Sequence, residues 1–152
     1  MKLAEALAER AAAQTRLAEL QGRLESGVLV QEGDQPAEDP PALLAEADQV
    51  MERLEWLVRA INATNAATPF DGDRTITDAI AARDMAARRQ RFLSAVAAAA
   101  VPSNRFGRAE IKFVPVVDVR GLRAQADAAA RAFRELDTRL QALNWTTDLV
   151  ES

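Results

Sequence analysis

The chain has no cysteine and no histidine. The first absence excludes disulfides and thiolate chemistry. The second removes the commonest general base, the commonest transition-metal ligand and the usual near-neutral pH switch. A zinc site is therefore not expected, and any metal would be a hard cation held by oxygens. No metal and no cofactor is expected. Tyrosine is also missing and aromatic residues make up only 5% of the chain. No glycine-rich phosphate loop and no nucleophile elbow occurs. The opening MKLAEALAER carries Glu5 and Glu9, which interrupt any apolar core of an export signal. The longest uncharged run, Phe92 to Asn104, is too short to span a bilayer and reads as buried helix. These features predict a soluble protein of the cytoplasm, with no membrane partner.

What is present is alanine and leucine at helical spacing. The 152 residues are 49% hydrophobic, enough for a core. Alanine, however, favours helices while offering little apolar area. A core rich in alanine implies close helix contacts, or burial completed by another subunit. The net charge of −4 is unevenly spread. Residues 1–73 hold six basic and fourteen acidic groups, whereas residues 74–112 hold eight basic and three acidic. The acidic first half and the basic third quarter can face each other, within the chain or between chains, or serve only as solvated helix faces.

Periodicity places four helices. The first covers about residues 2–25, with Leu3, Leu7, Leu17, Leu20 and Leu24 on one face. The second runs from about Pro41 to Asn65. Its stripe of Leu43, Ala47, Val50, Leu54, Leu57 and Ile61 advances by 4, 3, 4, 3 and 4 residues, the heptad period. The third starts near Thr75, where Thr75 and Asp78 fit a capping pair, and continues to about Ala100. The fourth runs from about Val119 to Asn144 behind Asp118, with the seam Leu122, Ala126, Ala129, Phe133, Leu136, Leu140 and Leu143. Between them lie two short β-prone runs, Val28–Val30 and Ile111–Val117, the latter containing Pro115. Thr68–Asp73 reads as a turn.

The elements repeat. A shift of 73 residues lays LAEALAER at 3–10 on ITDAIAAR at 76–83. A larger shift lays Leu54, Glu55, Ile61, Asn62 and Thr64 on Leu136, Asp137, Leu143, Asn144 and Thr146. The expected fold is mainly α: an antiparallel bundle of four long helices from two helix–strand–helix repeats, with a small two-stranded β element. It forms a single domain over residues 1–152, the first repeat ending near 68 and the second running from about 75 to 149. The two strands pair with each other, or with another subunit, since isolated strands leave backbone groups unpaired.

Two sets of residues are candidate sites. Arg10 and Arg83 fall on the apolar stripes of their helices. They serve either as a polar layer or snorkelling side chains, with Asp84, Glu5 or Asp78 as partners, or as an anion site. Asn62, Asn65 and Asn144 with Thr64, Thr146 and Thr147 make polar helix ends. Capping explains them; the alternative is a small polar pocket where the ends converge, with Trp145 as a wall and Arg10 and Arg83 supplying charge. The second set is a basic patch of Arg88, Arg89, Arg91, Arg105, Arg108 and Lys112, which nucleic-acid binding would explain, although helix-turn-helix spacing is missing and no aromatics interleave beyond Phe92 and Phe106.

The segments RAINATNAAT (59–68), TITDAIAARD (75–84), EIKFVPVVDVRGLRAQAD (110–127) and LNWTTDL (143–149) carry a resemblance. With the MKLAEALAER start, they resemble a family of small bacterial proteins, common in actinobacteria, often labelled septicolysin or uncharacterised. The resemblance implies a helical fold and brings no catalytic residues. The septicolysin label would imply a secreted membrane-damaging toxin. The residues depart from that picture, with no export signal and no β-hairpin long enough to line a pore.

The reading that results is a non-enzymatic helical protein acting by self-assembly, as a homo-oligomer, or by binding a protein partner. An antitoxin-like or nucleic-acid-associated regulator is the alternative, and a small-ligand binder or enzyme is the third.

Overall fold

The structure, a computed structural model, describes residues 1–102 and 112–150. The chain is mainly α, with helices α1 (Leu3–Gly27), α2 (Pro40–Ala67), α3 (Ile76–Ala99) and α4 (Val119–Thr146). Strands β1 (Pro69–Asp71) and β2 (Arg74–Thr75) form a small antiparallel sheet between α2 and α3. The chain divides into two compact units. Unit one is Met1–Thr68 with the chain from Leu143 onward, and unit two is Pro69–Ala142.

The helix starts follow local chemistry. Pro40 and Pro41 open α2, where the missing N–H has no intrahelical partner to lose. Thr75 and Asp78 close a capping box on α3: the Thr75 N–H donates to Asp78 Oδ2 at 2.8 Å, and the Asp78 N–H donates to Thr75 Oγ1 at 3.4 Å. Asp78 is held below the usual carboxylate range by those Thr75 donors. Asp118 caps α4, its Oδ1 accepting from the Gly121 N–H at 3.0 Å. A Cβ at position 121 would collide with that carboxylate, so glycine lets the cap approach.

In unit one, α1 packs along α2. Leu20, Leu43 and Ala47 form a buried cluster with Leu17, Leu24 and Val50 against it. Leu3, Leu57 and Ile61 are fully buried further along. Each such leucine or isoleucine contributes about 1.5–3 kcal/mol by leaving water. The heptad stripe read on α2 is thus its core face. In unit two, α3 and α4 pack closely. Ile76, Ala79, Leu93 and Ala97 of α3 and Ala126, Ala129 and Leu140 of α4 are buried. Arg83 Nη1 of α3 reaches Asp137 Oδ1 of α4 at 3.3 Å.

The strands lie elsewhere than the sequence suggests. Val28–Val30 is not a strand: after Gly27 the chain leaves the helix, and Leu29 is 90% exposed. Residues 112–117 carry no strand either, and Ile111 lies outside the described residues. A strand forms only where a second backbone is at hand. Pro69–Asp71 and Arg74–Thr75 are separated by a two-residue turn, so pairing costs little loop entropy. Gly72 supplies the turn with a φ of +50°. Residues 68–73, read as a turn, are therefore most of a hairpin.

A second correction concerns the uncharged run from Phe92. Among the described residues of that run only Leu93 and Ala97 are buried, while Phe92 is 69% exposed. The run is the exposed end of α3, and residues 103 and 104 lie outside the described residues.

Candidate functional site

The polar helix ends of unit one do converge, and Thr64 is their centre. It is a fully buried polar side chain. Its Oγ1 donates to the Ala60 carbonyl at 2.7 Å and accepts from the Val150 N–H at 2.9 Å. Residues 147–150 reach it by running antiparallel to residues 1–3. The Leu3 N–H donates to Thr147 O at 3.0 Å and the Leu149 N–H to Met1 O at 2.9 Å. Lys2 Nζ secures the crossing on Asp148 at 2.7 Å and on the Thr146 carbonyl at 3.2 Å. Lys2 holds the Asp148 carboxyl below its usual range. Thr68 adds a further tie, its Oγ1 donating to Thr64 O at 2.7 Å. Around this clasp Asn65 and Asn144 are half-buried, Asn62 is exposed, and Trp145 is 68% exposed. The hydroxyl and carbonyl groups are spent on tying chain segments together, as capping requires.

Arg10 and Arg83 differ. Arg83, half-buried, holds Asp84 Oδ1 at 2.8 Å and Asp137 Oδ1 at 3.3 Å. Arg10 is half-buried too, and its Nε is buried with no hydrogen-bond partner among the described residues.

Sequence reasoning missed two clefts, both in unit one. The larger, of about 360 Å³, runs over Ala12, Ala13, Gln49 and Val50 between α1 and α2. Two ion pairs cross it: Arg53–Glu9 at 2.6 Å and Arg16–Glu46 at 2.6 Å. Arg53 holds the Glu9 carboxyl below its usual range, and its guanidinium lies 4.3 Å over the Trp56 ring. The smaller, of about 250 Å³, sits where α1 ends, over Leu24, Gly27, Val28, Pro40 and Leu43. Arg23 closes one side by a forked pair to Glu38, at 2.9 to 3.2 Å. The signal for the larger cleft is in the sequence: the α1 stripe skips from Leu7 to Leu17, and alanine fills the gap without filling the volume.

Unit two has its own charged cluster, at the hairpin. Asp71 accepts from Arg74 at 2.7 Å and from Arg139 at 2.9 Å, and both pull its carboxyl below the usual range. The Arg139 guanidinium lies 4.2 Å over the buried Phe70 ring. On α3, Arg88, Arg89 and Arg91 are exposed and carry no ion pair among the described residues. Lys112 is exposed, and Arg105 and Arg108 lie outside the described residues.

Chemically, the charged groups that cross or edge these clefts are neutralised by opposite charges. Of these carboxylates, Glu9 is held below its usual range by Arg53 and Glu38 by Arg23. The stabilisation they supply is present above about pH 4 and is lost as the pH falls through their lowered values. The geometry suits holding surfaces together. Among the described residues no group of three or more acidic side chains could hold a metal ion, and no described helix is long and apolar enough to cross a membrane.

A mainly-α protein of two compact helical units, with salt-bridged clefts and a tied end, is the class these features define. The chain belongs to the family of unknown function DUF6847, whose sequence profile matches residues 10–149. It is similar to a solved structure described as a functionally unknown conserved protein from Corynebacterium diphtheriae, at 43% identity over 99% of both chains, with a TM-score of 0.94. No curated protein matches the chain.

Proposed function

We propose that this is a non-enzymatic helical protein of the cytoplasm that acts by self-assembly. The observation that carries the reading is the exposure of a short apolar run in each of its two connectors. Leu29 is 90% exposed, Phe113 78% and Val116 94%, in β-prone runs that pair with nothing among the described residues. Apolar surface and unpaired extended backbone of this kind are natural contacts between subunits. Clefts whose charges are already paired, in a chain without histidine or cysteine, support an assembly role over a catalytic one. The membrane-damaging activity that the septicolysin label implies forms no part of this reading.

Size-exclusion chromatography with light scattering tests it. The expected species is heavier than the 16.5 kDa chain and grows with concentration. A monomer that persists at every concentration overturns the reading.

A second reading, an antitoxin-like or nucleic-acid-associated regulator, rests on Arg88, Arg89 and Arg91 of α3, which carry no ion pair among the described residues. Phosphate contacts strengthen as salt falls. Absence of nucleic-acid binding at low salt removes the nucleic-acid branch of that reading.

A further inference from the structure

We infer that the exposed faces of α2 and α3 are complementary docking surfaces, so that α2 of one copy takes α3 of a second copy of this chain. The inference rests on the self-assembly reading and names a contact for it.

Beside its buried heptad seam, α2 carries a second stripe one residue further round. Leu44, Asp48, Met51, Glu55 and Val58 advance by 4, 3, 4 and 3 residues, and all five are exposed. Leu44 is 54%, Met51 45% and Val58 37% exposed, too much apolar surface in one line to be scattered surface leucine. The acids alternate with them, and Asp48 and Glu55 carry no ion pair among the described residues.

α3 presents the matching pattern with the opposite charge. Ala81, Met85, Arg88, Phe92 and Ala95 advance by the same 4, 3, 4 and 3, and all are exposed. Met85 and Phe92 are 60% and 69% exposed. Arg88 lies between them and has no acidic partner among the described residues, and Arg89 and Arg91 add charge alongside.

The two stripes share a pitch. Met85 to Phe92 and Leu44 to Met51 are each seven residues, about 10.5 Å along a helix. Large apolar side chains on one stripe therefore meet those on the other in step, with Arg88 facing Asp48 or Glu55 between them, as in a heptad seam. Charge selects the pairing. Two α2 faces repel, and so do two α3 faces, whereas α2 against α3 attracts. Both faces lie on one chain, so another copy supplies what each lacks.

Light scattering on charge variants is the test, with far-UV circular dichroism confirming that each folds. Arg88→Glu alone and the pair Asp48→Arg with Glu55→Arg alone are each expected at monomer mass. An equal mixture of the two variants is expected to regain the oligomer, because acidic α3 then meets basic α2. Rising salt is expected to weaken the wild-type assembly. A wild-type oligomer indifferent to both variants, but lost on Leu29→Asp or Val116→Asp, overturns the α2–α3 contact and leaves self-assembly through the connectors standing. Variant oligomers that dissociate yet are not restored on mixing overturn the pairing as well. A wild-type monomer at every concentration overturns the assembly reading itself.

Discussion

Arg10 in unit one and Arg83 in unit two stand at matching places in the repeated pattern, three residues after Leu7 and Ile80. Arg83 has two carboxylates, Asp84 and Asp137. The residue after Arg10 is Ala11, and the counterpart of Asp137 is Glu55, which is exposed. Glu9, beside Arg10, is taken by Arg53. The two units thus share an apolar pattern but solve the same polar problem differently. Apolar stripes tolerate exchange, because any side chain of similar volume serves. A buried donor needs one acceptor in one place, and a single substitution removes it.

The largest effect expected should ignore this difference. Leu57→Ala in unit one and Leu140→Ala in unit two each remove a buried side chain. Each is expected to cost about 3 kcal/mol in chemical denaturation. Whether the two substitutions shift one transition or two shows how far the units melt together. A loss under about 1 kcal/mol at either site would mean that its unit is packed more loosely than its burial indicates.

The next effect should appear in unit one alone. Thr64→Val keeps the shape, but leaves the Val150 N–H without its acceptor. A cost of about 1–2 kcal/mol is expected, with faster hydrogen exchange at Leu149 and Val150. Unchanged exchange there would mean that the clasp is held by Lys2 and residues 1–3 without Thr64.

The smallest effect tests the arginines directly. Arg83→Met strands two carboxylates that remain partly exposed, so a loss of about 1 kcal/mol is expected. Arg10→Met removes a buried unpaired N–H, so a change within about 0.5 kcal/mol, or a gain, is expected. Equal losses at both positions would erase the asymmetry between the units.

How much of this was legible depends on the range of the interaction. Thr75 and Asp78, Pro41 and Asp118 announce helix starts because each acts within three or four residues, although α2 begins one residue earlier, at Pro40. The stripe from Leu43 to Ile61 announces a buried face because helical pitch alone brings those side chains into line. The β-prone runs misled for the opposite reason. Val28–Val30 has the composition of a strand, but composition supplies no second backbone. Pro69–Asp71, a run that holds a proline and an aspartate, pairs because Arg74–Thr75 is already beside it. Phe92 misled in the same way: the residues that follow it are uncharged, yet among the described ones only Leu93 and Ala97 turn inward. Of the candidate site elements, the asparagine-bearing end of α2 meets the chain that follows α4 through the Thr64–Val150 hydrogen bond. Thr64, the side chain that joins them, was recognisable only as one of several capping residues.

The sequence by itself determined the four helices, their caps and the inward face of α2, because hydrogen bonds and side-chain alignment inside a helix close over a few residues. The tertiary structure decided which segments pair as strands, which arginine finds a carboxylate and what Thr64 holds. Those outcomes rest on groups far apart in the chain, 86 residues in the case of Thr64 and Val150. A lone polar group gives no sign of which distant partner folding will bring to it.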